Sequence, residues 1–209
     1  MSLLLFGKGL LLGLAIAAPL GPIGTLCISR TLERGFLAGV AGGLGTALAD
    51  ATYALLAAAG FAAFATVLSA ISTPLSLAGG LFMLWLGWCG LSPRPVATAA
   101  ELGARDLVHT TAATFLLTIT SPTTILSFAA IFAGLGLAAF GDGTNVAILV
   151  GGVFVGSLAW WLFLTGGVTL AKARLPASFA TWTSRISGLV LIGFGLAALT
   201  SAIVSLIVA

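Results

Sequence analysis

One carboxylate, Asp50, stands deep inside a long apolar stretch of this 209-residue chain. A charged group at the centre of a hydrocarbon span costs about 2.5–3.5 kcal/mol, so an acid in such a place needs a purpose. At helical spacing Asp50 shares a face with Gly43, Thr46, Ala47, Tyr53 and Ala57, while Leu48 and Leu55 point away. That face is small and polar enough to line a cavity. Asp50 could there neutralise an ammonium group, or release and rebind a proton. The plainer alternative is a structural acid that stays protonated or binds a neighbouring helix.

Two prolines suggest a second kind of chemistry. Gly21-Pro22 and Ser121-Pro122 each fall in the middle of an apolar run. Proline removes a backbone donor and clashes with the preceding turn, so both should kink or interrupt their helices. Lipid cannot satisfy the freed groups, and such a break is tolerated where it lines a cavity or packs against protein. Ser121 reads as an N-cap with Pro122 at the first helical position, so a half-helix restarts there with Thr123 and Thr124 at its head. Its N-terminus carries partial positive charge suited to a carboxylate. A packing kink is the alternative for either proline taken alone. The candidate residues for substrate binding or coupling are therefore Asp50, Thr46, Tyr53, Gly21, Pro22, Ser121, Pro122, Thr123 and Thr124.

The remaining reactive residues point to no cofactor, metal centre or enzyme. Cys27 and Cys89 have neither metal-ligand nor CxxC spacing and read as buried structural thiols. His109 borders a loop and reads as a solvated interfacial residue. Trp160 and Trp161 sit near mid-span, one expected as core filler and the other as a cavity wall. Gly39, Gly42, Gly43 and Thr46 have the small-xxx-small spacing that lets helices approach closely.

The elements that must hold these residues are membrane helices. The chain is 60% hydrophobic and only 6% charged, with a mean hydropathy of +1.23, against roughly 25% charged residues in a soluble domain. No soluble surface can be built from so few charges. Turn formers and charges gather at 30–35, 69–74, 92–106, 141–144 and 172–185. These breaks predict six helices at 4–29, 36–64, 74–91, 109–138, 145–170 and 186–208. The stretch ahead of Ala15-Ile16-Ala17 reads as part of the first helix rather than a cleaved signal, because Lys8 follows an apolar stretch instead of leading it. The first, third and fifth loops hold Arg30, Arg34, Arg94, Arg105, Lys172, Arg174 and Arg185, whereas the second and fourth hold no Lys or Arg. The positive-inside rule makes the basic side cytoplasmic and both termini extracytoplasmic. That sorting also explains the net charge of +3 without a nucleic-acid partner.

The chain reads as an internal duplication. Gly21-Pro22 is matched by Ser121-Pro122, Gly45-Thr46 by Gly156-Ser157, and Gly80-Leu81 with Gly87 by Gly188-Leu189 with Gly195, in the same order. Residues 1–91 form one three-helix repeat and 109–209 the other, joined by a cytoplasmic loop at 92–108. A unit with an odd number of spans reinserts upside down. The expected fold is an all-α membrane protein of six transmembrane helices, in two inverted repeats with Pro-broken helices 1 and 4. Secondary transporters are built this way, with a site near the midplane.

These residues resemble the lysine exporter and homoserine/threonine exporter (LysE/RhtB) translocators. The resemblance runs through Gly21-Pro22, the run from Arg30 through Thr31, Leu32, Glu33 and Arg34 to Gly35, then Gly39, Gly45, Asp50, Ala78-Gly79-Gly80-Leu81, Gly87 and the Ser121-Pro122-Thr123-Thr124-Ile125-Leu126 run. It implies efflux of an amino acid or related small solute across a bacterial inner (plasma) membrane, coupling to the proton gradient, and a homodimer. The family's usual Asn-Pro is Ser121-Pro122 here, and the Asn that often follows its Gly-Pro is Ile23, so contacts through those amides do not carry over. The leading reading is export of a small, neutral zwitterion, since one buried acid offers no partner for a second cation. Divalent-metal efflux would need converging ligands, and Asp50, Cys27, Cys89 and His109 are few and scattered. A thiol–disulfide relay would need a second cysteine where Ser127 stands.

Overall fold

The computed structural model describes residues 2–19, 21–91, 103–121, 124, 128, 143–172 and 177–208, and among them all regular structure is helical. The helices are α1 (Ser2–Ala17), α2 (Pro22–Arg34), α3 (Phe36–Leu91), α4 (Ala104–Ile119), α5 (Gly143–Lys172) and α6 (Ala177–Val208). Among the described residues three stretches are long and apolar enough to cross a membrane: Phe36–Ala58, Gly143–Lys172 and Thr181–Ile207. Helices α1 and α2 make a fourth if taken as one span bent by 82°. Most of the loop at 92–108 and most of the predicted fourth helix beyond Ser121 lie outside the described residues, as do Pro122 and Thr123.

The first break falls where Gly21-Pro22 predicts it. Gly21 is the extended N-cap of α2 and Pro22 its first residue, a position where the missing proline N–H costs nothing. Two other boundaries correct the sequence reading. The residues around Arg30 do not form a loop, because Thr31 to Arg34 are competent helix formers and extend α2. The turn narrows to Gly35, whose φ of 89° lies where side chains are disfavoured. Likewise 177–185 joins α6 instead of the fifth loop.

No loop opens at the predicted break of 69–74, since α3 is helical from Phe36 to Leu91 with Pro74 inside it. A single proline removes one backbone hydrogen bond, which neighbours within a membrane protein can compensate. The run is not a rod, however. Tyr53 donates a hydrogen bond to the carbonyl of Ile119, and Gly79 lies against Thr120. In a straight helix Tyr53 and Gly79 would stand about 39 Å apart. The run therefore turns back on itself between them, and its limbs Phe36–Ala58 and Thr73–Cys89 both face α4.

Packing is inverted relative to a soluble protein. Trp88, Phe163 and Leu170 are exposed, whereas Thr31, Thr46, Asp50, Thr114, Thr118, Ser157 and Thr165 are buried. An apolar exterior is what a lipid solvent accepts. The buried hydroxyls mostly bond within their own helices, as Thr114 does to the Thr110 carbonyl at 3.0 Å and Thr165 to that of Trp161 at 2.7 Å. Glycine seams let helices touch through their backbones. Gly9 and Gly13 of α1 lie against Gly152, Val153 and Ser157 of α5. Gly80 of α3 meets Gly195 of α6, and Gly87 meets Gly188.

Candidate functional site

A cavity of about 200 Å³ opens beside the α1–α2 break. Its lining includes Gly21, Pro22 and Gly24 from the break, Thr46 and Asp50 from α3, Thr118 from the end of α4, and Trp161 from α5. Ser121, Thr124 and Phe194 also line it, together with the apolar Ile16, Ala17, Pro19 and Ile23. The helix face predicted from spacing is the one that turns inward, with Thr46, Ala47, Asp50 and Ala57 buried and Leu48 and Leu55 exposed.

Asp50 is 1% exposed, and the Ser157 hydroxyl donates to its Oδ2 at 2.7 Å. Among the described residues its other oxygen accepts no hydrogen bond. Thr46 sits one turn before Asp50, donates to the Gly42 carbonyl at 3.3 Å, and lies 3.5 Å from the Thr118 hydroxyl. This polar strip faces the head of α2. Thr25 N bonds the Gly21 carbonyl at 3.2 Å, the first bond of that helix. The N–H groups of Ile23 and Gly24 thus belong to the turn that has no intrahelical acceptors. The cavity joins a carboxylate, two hydroxyls and the positive end of a helix. That combination can hold an ammonium and a carboxylate at once.

Of the residues singled out from sequence, Asp50, Thr46, Gly21, Pro22, Ser121 and Thr124 line this cavity. Ser121 is buried just past the end of α4, its N–H on the Thr118 carbonyl at 3.1 Å, so the helix is interrupted there. Tyr53 is not part of the lining. Its hydroxyl is bonded to Ile119, and its ring packs on Phe128 with centroids 5.4 Å apart. Between the two tryptophans, Trp161 is the wall, backed by Gly43, and Trp160 is the filler beside Phe163. Sequence reasoning did not select Ser157, Thr118 or Phe194 for the site. A signal for Ser157 existed, because Gly156-Ser157 is the counterpart of Gly45-Thr46. Cys27 is buried against Gly42. Cys89 and His109 line a different cavity. Among the described residues no three His, Cys, Asp or Glu side chains gather as metal ligands.

An apolar helical exterior around a buried carboxylate is the pattern of a membrane protein. Comparison with known proteins narrows the class: residues 14–202 match the family model described as LysE type translocator. The chain belongs to that family. It is 26% identical to the "Putative amino acid efflux protein YcgF" of Bacillus subtilis (strain 168), over 91% of this chain and 93% of that protein. It is 28% identical to the "Uncharacterized membrane protein YahN" of Escherichia coli (strain K12), over 70% of this chain and 67% of that one. No solved structure matches the chain.

Proposed function

We propose that this translocator exports a small neutral amino acid, or a closely related zwitterion, across the bacterial inner membrane by alternating access coupled to the proton gradient. The carrying observation is that Asp50 and the head of α2 share one cavity. Asp50 takes the ammonium or the coupling proton, and the N–H groups at the start of α2 take the carboxylate. The cavity is smaller than the roughly 300–1,000 Å³ common for drug-sized ligands, in keeping with a small solute. The relative named as an amino acid efflux protein supports the same substrate class.

The architecture in this reading is six spans in two inverted repeats, 1–91 and 109–209, joined by a cytoplasmic loop at 92–108. Reciprocal packing supports it. If Gly80 and Gly87 correspond to Gly188 and Gly195, a two-fold relation turns the Gly80–Gly195 contact into the Gly188–Gly87 contact, and both contacts occur. The separate match of Gly45-Thr46 to Gly156-Ser157 pairs Thr46 with Ser157 and Asp50 with Trp161. The termini lie outside in this arrangement, and the protein functions as a homodimer. Metal efflux is not favoured, since Cys27, Cys89 and His109 do not converge on Asp50.

Efflux of a panel of radiolabelled amino acids from loaded proteoliposomes, with and without an imposed pH gradient, tests the reading. Saturable, gradient-stimulated efflux of small neutral amino acids is expected. Saturable export of lysine or arginine without any neutral substrate would refute the assignment.

A further inference from the structure

A second cavity, of about 290 Å³, lies at the opposite end of the helix pair that frames the first. The central cavity uses the first turn of α2 and the last of α4. The second uses the last turns of α2, with Arg30, Glu33 and Arg34, and the first turns of α4, with Asp106 and His109. Along α2 only about 9 Å separates Gly24 from Arg30. Between the cavities Leu26, Met83, Leu117 and Leu191 form a buried apolar layer. The Ser187 hydroxyl ties α6 to the Thr25 carbonyl of α2 at 2.6 Å beside that layer. Two cavities separated by an apolar layer are what one closed state of an alternating-access path requires.

The charges of the second chamber are mixed. Two guanidinium groups and two carboxylates line one small volume, which suits a molecule bearing both signs better than a simple cation or anion. Arg30 reaches the Thr110 carbonyl at 3.4 Å, and a guanidinium has five donors in a fork shaped for a carboxylate. Positive-inside sorting explains basic residues at this end of the helices. Asp106 caps α4, its Oδ2 accepting the Gly103 N–H at 3.2 Å, which leaves its other oxygen for a ligand; neither capping nor sorting accounts for Glu33 beside the two arginines.

We propose that this chamber is the cytoplasmic loading site of the exporter, binding an amino-acid zwitterion with its carboxylate on Arg30 and Arg34 and its ammonium on Glu33 and Asp106. The proposal rests on the export reading but can fail separately from it. Cys89 lines the chamber and is half-buried, whereas Cys27 is fully buried, so a native thiol serves as the probe.

The experiment measures the rate at which a hydrophilic maleimide labels Cys89 in the purified protein in nanodiscs. The rate is followed against an equimolar mixture of glycine, alanine, serine and threonine, with acetate and methylammonium as single-charge controls. Saturable protection by the mixture, exceeding that by either control, is expected. Arg30→Gln should raise the half-protecting concentration about tenfold, the usual worth of one charge-assisted hydrogen bond. Asp50→Asn should leave it within about twofold, because Asp50 lies beyond the partition. If Arg30→Gln is not monodisperse on size exclusion, Arg34→Gln serves instead, with about a threefold shift expected. Absence of protection overturns the loading site, as does protection equal to the controls. Protection lost in Asp50→Asn but kept in the arginine variants also overturns it, since the signal would then come from the central cavity. Efflux of the same mixture from proteoliposomes separates the two readings. Efflux without protection leaves export standing and removes the loading site, whereas protection without efflux keeps the zwitterion site and removes export.

Discussion

Adjacent residues of α5 show two uses of a small side chain inside a membrane. Gly156 touches the backbone of α1 at Leu10, where even a methyl group has no room. Ser157, the next residue, turns toward α3 and donates to Asp50 at 2.7 Å. On the α1 side, smallness removes the space between helices. On the α3 side, it lets a short hydroxyl reach across the contact to the carboxylate. A stripe of small residues is therefore ambiguous by itself. Its meaning depends on whether the facing helix presents its backbone, as α1 does at Leu10, or a polar side chain, as α3 does at Asp50.

The largest effect should come from filling the seam. Gly156→Leu would drive a side chain into the Leu10 backbone, which neither helix can avoid without separating. Loss of the monodisperse peak on size exclusion after mild detergent extraction is expected, and a well-folded variant would show that α1 and α5 are not tightly packed.

Changing the cavity side should spare the fold and remove function. Asp50→Asn keeps the shape and can still accept from Ser157, but an amide neither ionises nor neutralises an ammonium. Normal expression is expected, with gradient-driven transport abolished or uncoupled from pH. Wild-type transport with unchanged pH dependence would return Asp50 to the packing residues.

Ser157→Ala should have an intermediate effect. It removes the hydrogen bond to Asp50, worth about 1.5–3 kcal/mol for a charged acceptor, so transport should fall roughly ten- to hundredfold. Unchanged transport would mean that Asp50 does not depend on α5 for its position.

Tyr53→Phe should have the smallest effect on transport. The variant loses the bond to Ile119 but keeps the packing on Phe128. A stability loss of about 1 kcal/mol and transport within about twofold of wild type are expected. Abolished transport at unchanged stability would place the tyrosine hydroxyl in the transport path.

Sequence led directly to Asp50 because a lone acid in an apolar run is costly wherever the helix lies. Helical spacing alone also separated Thr46 and Ala47 from Leu48 and Leu55, since side-chain direction on a helix is local geometry. Gly21-Pro22 was legible for the same reason: proline restricts its own backbone without help from tertiary contacts. Thr118 was not, and sequence left open which of Trp160 and Trp161 is the wall and whether Ser157 meets Asp50, since these residues join Asp50 only when α4 and α5 dock. Tyr53 shared the right face yet ended outside the cavity lining, because α4 approaches closely enough at Ile119 to take its hydroxyl. The break expected at 30–35 narrows to Gly35, and helix continues through 69–74, because turn-forming residues permit a loop without requiring one.

The sequence by itself determined that the chain is helical, that lipid surrounds it, that a carboxylate lies within it, and that one helix must break before Pro22. Each follows from the cost of putting a particular group in hydrocarbon or in a regular helix, which is a property of the residue and its near neighbours. Only the tertiary structure decided which hydroxyl meets Asp50, which glycines close a seam, and that two cavities lie in line with Leu26 and Leu117 between them. Those outcomes depend on distances between helices far apart in the chain, set by how closely each pair of surfaces can pack.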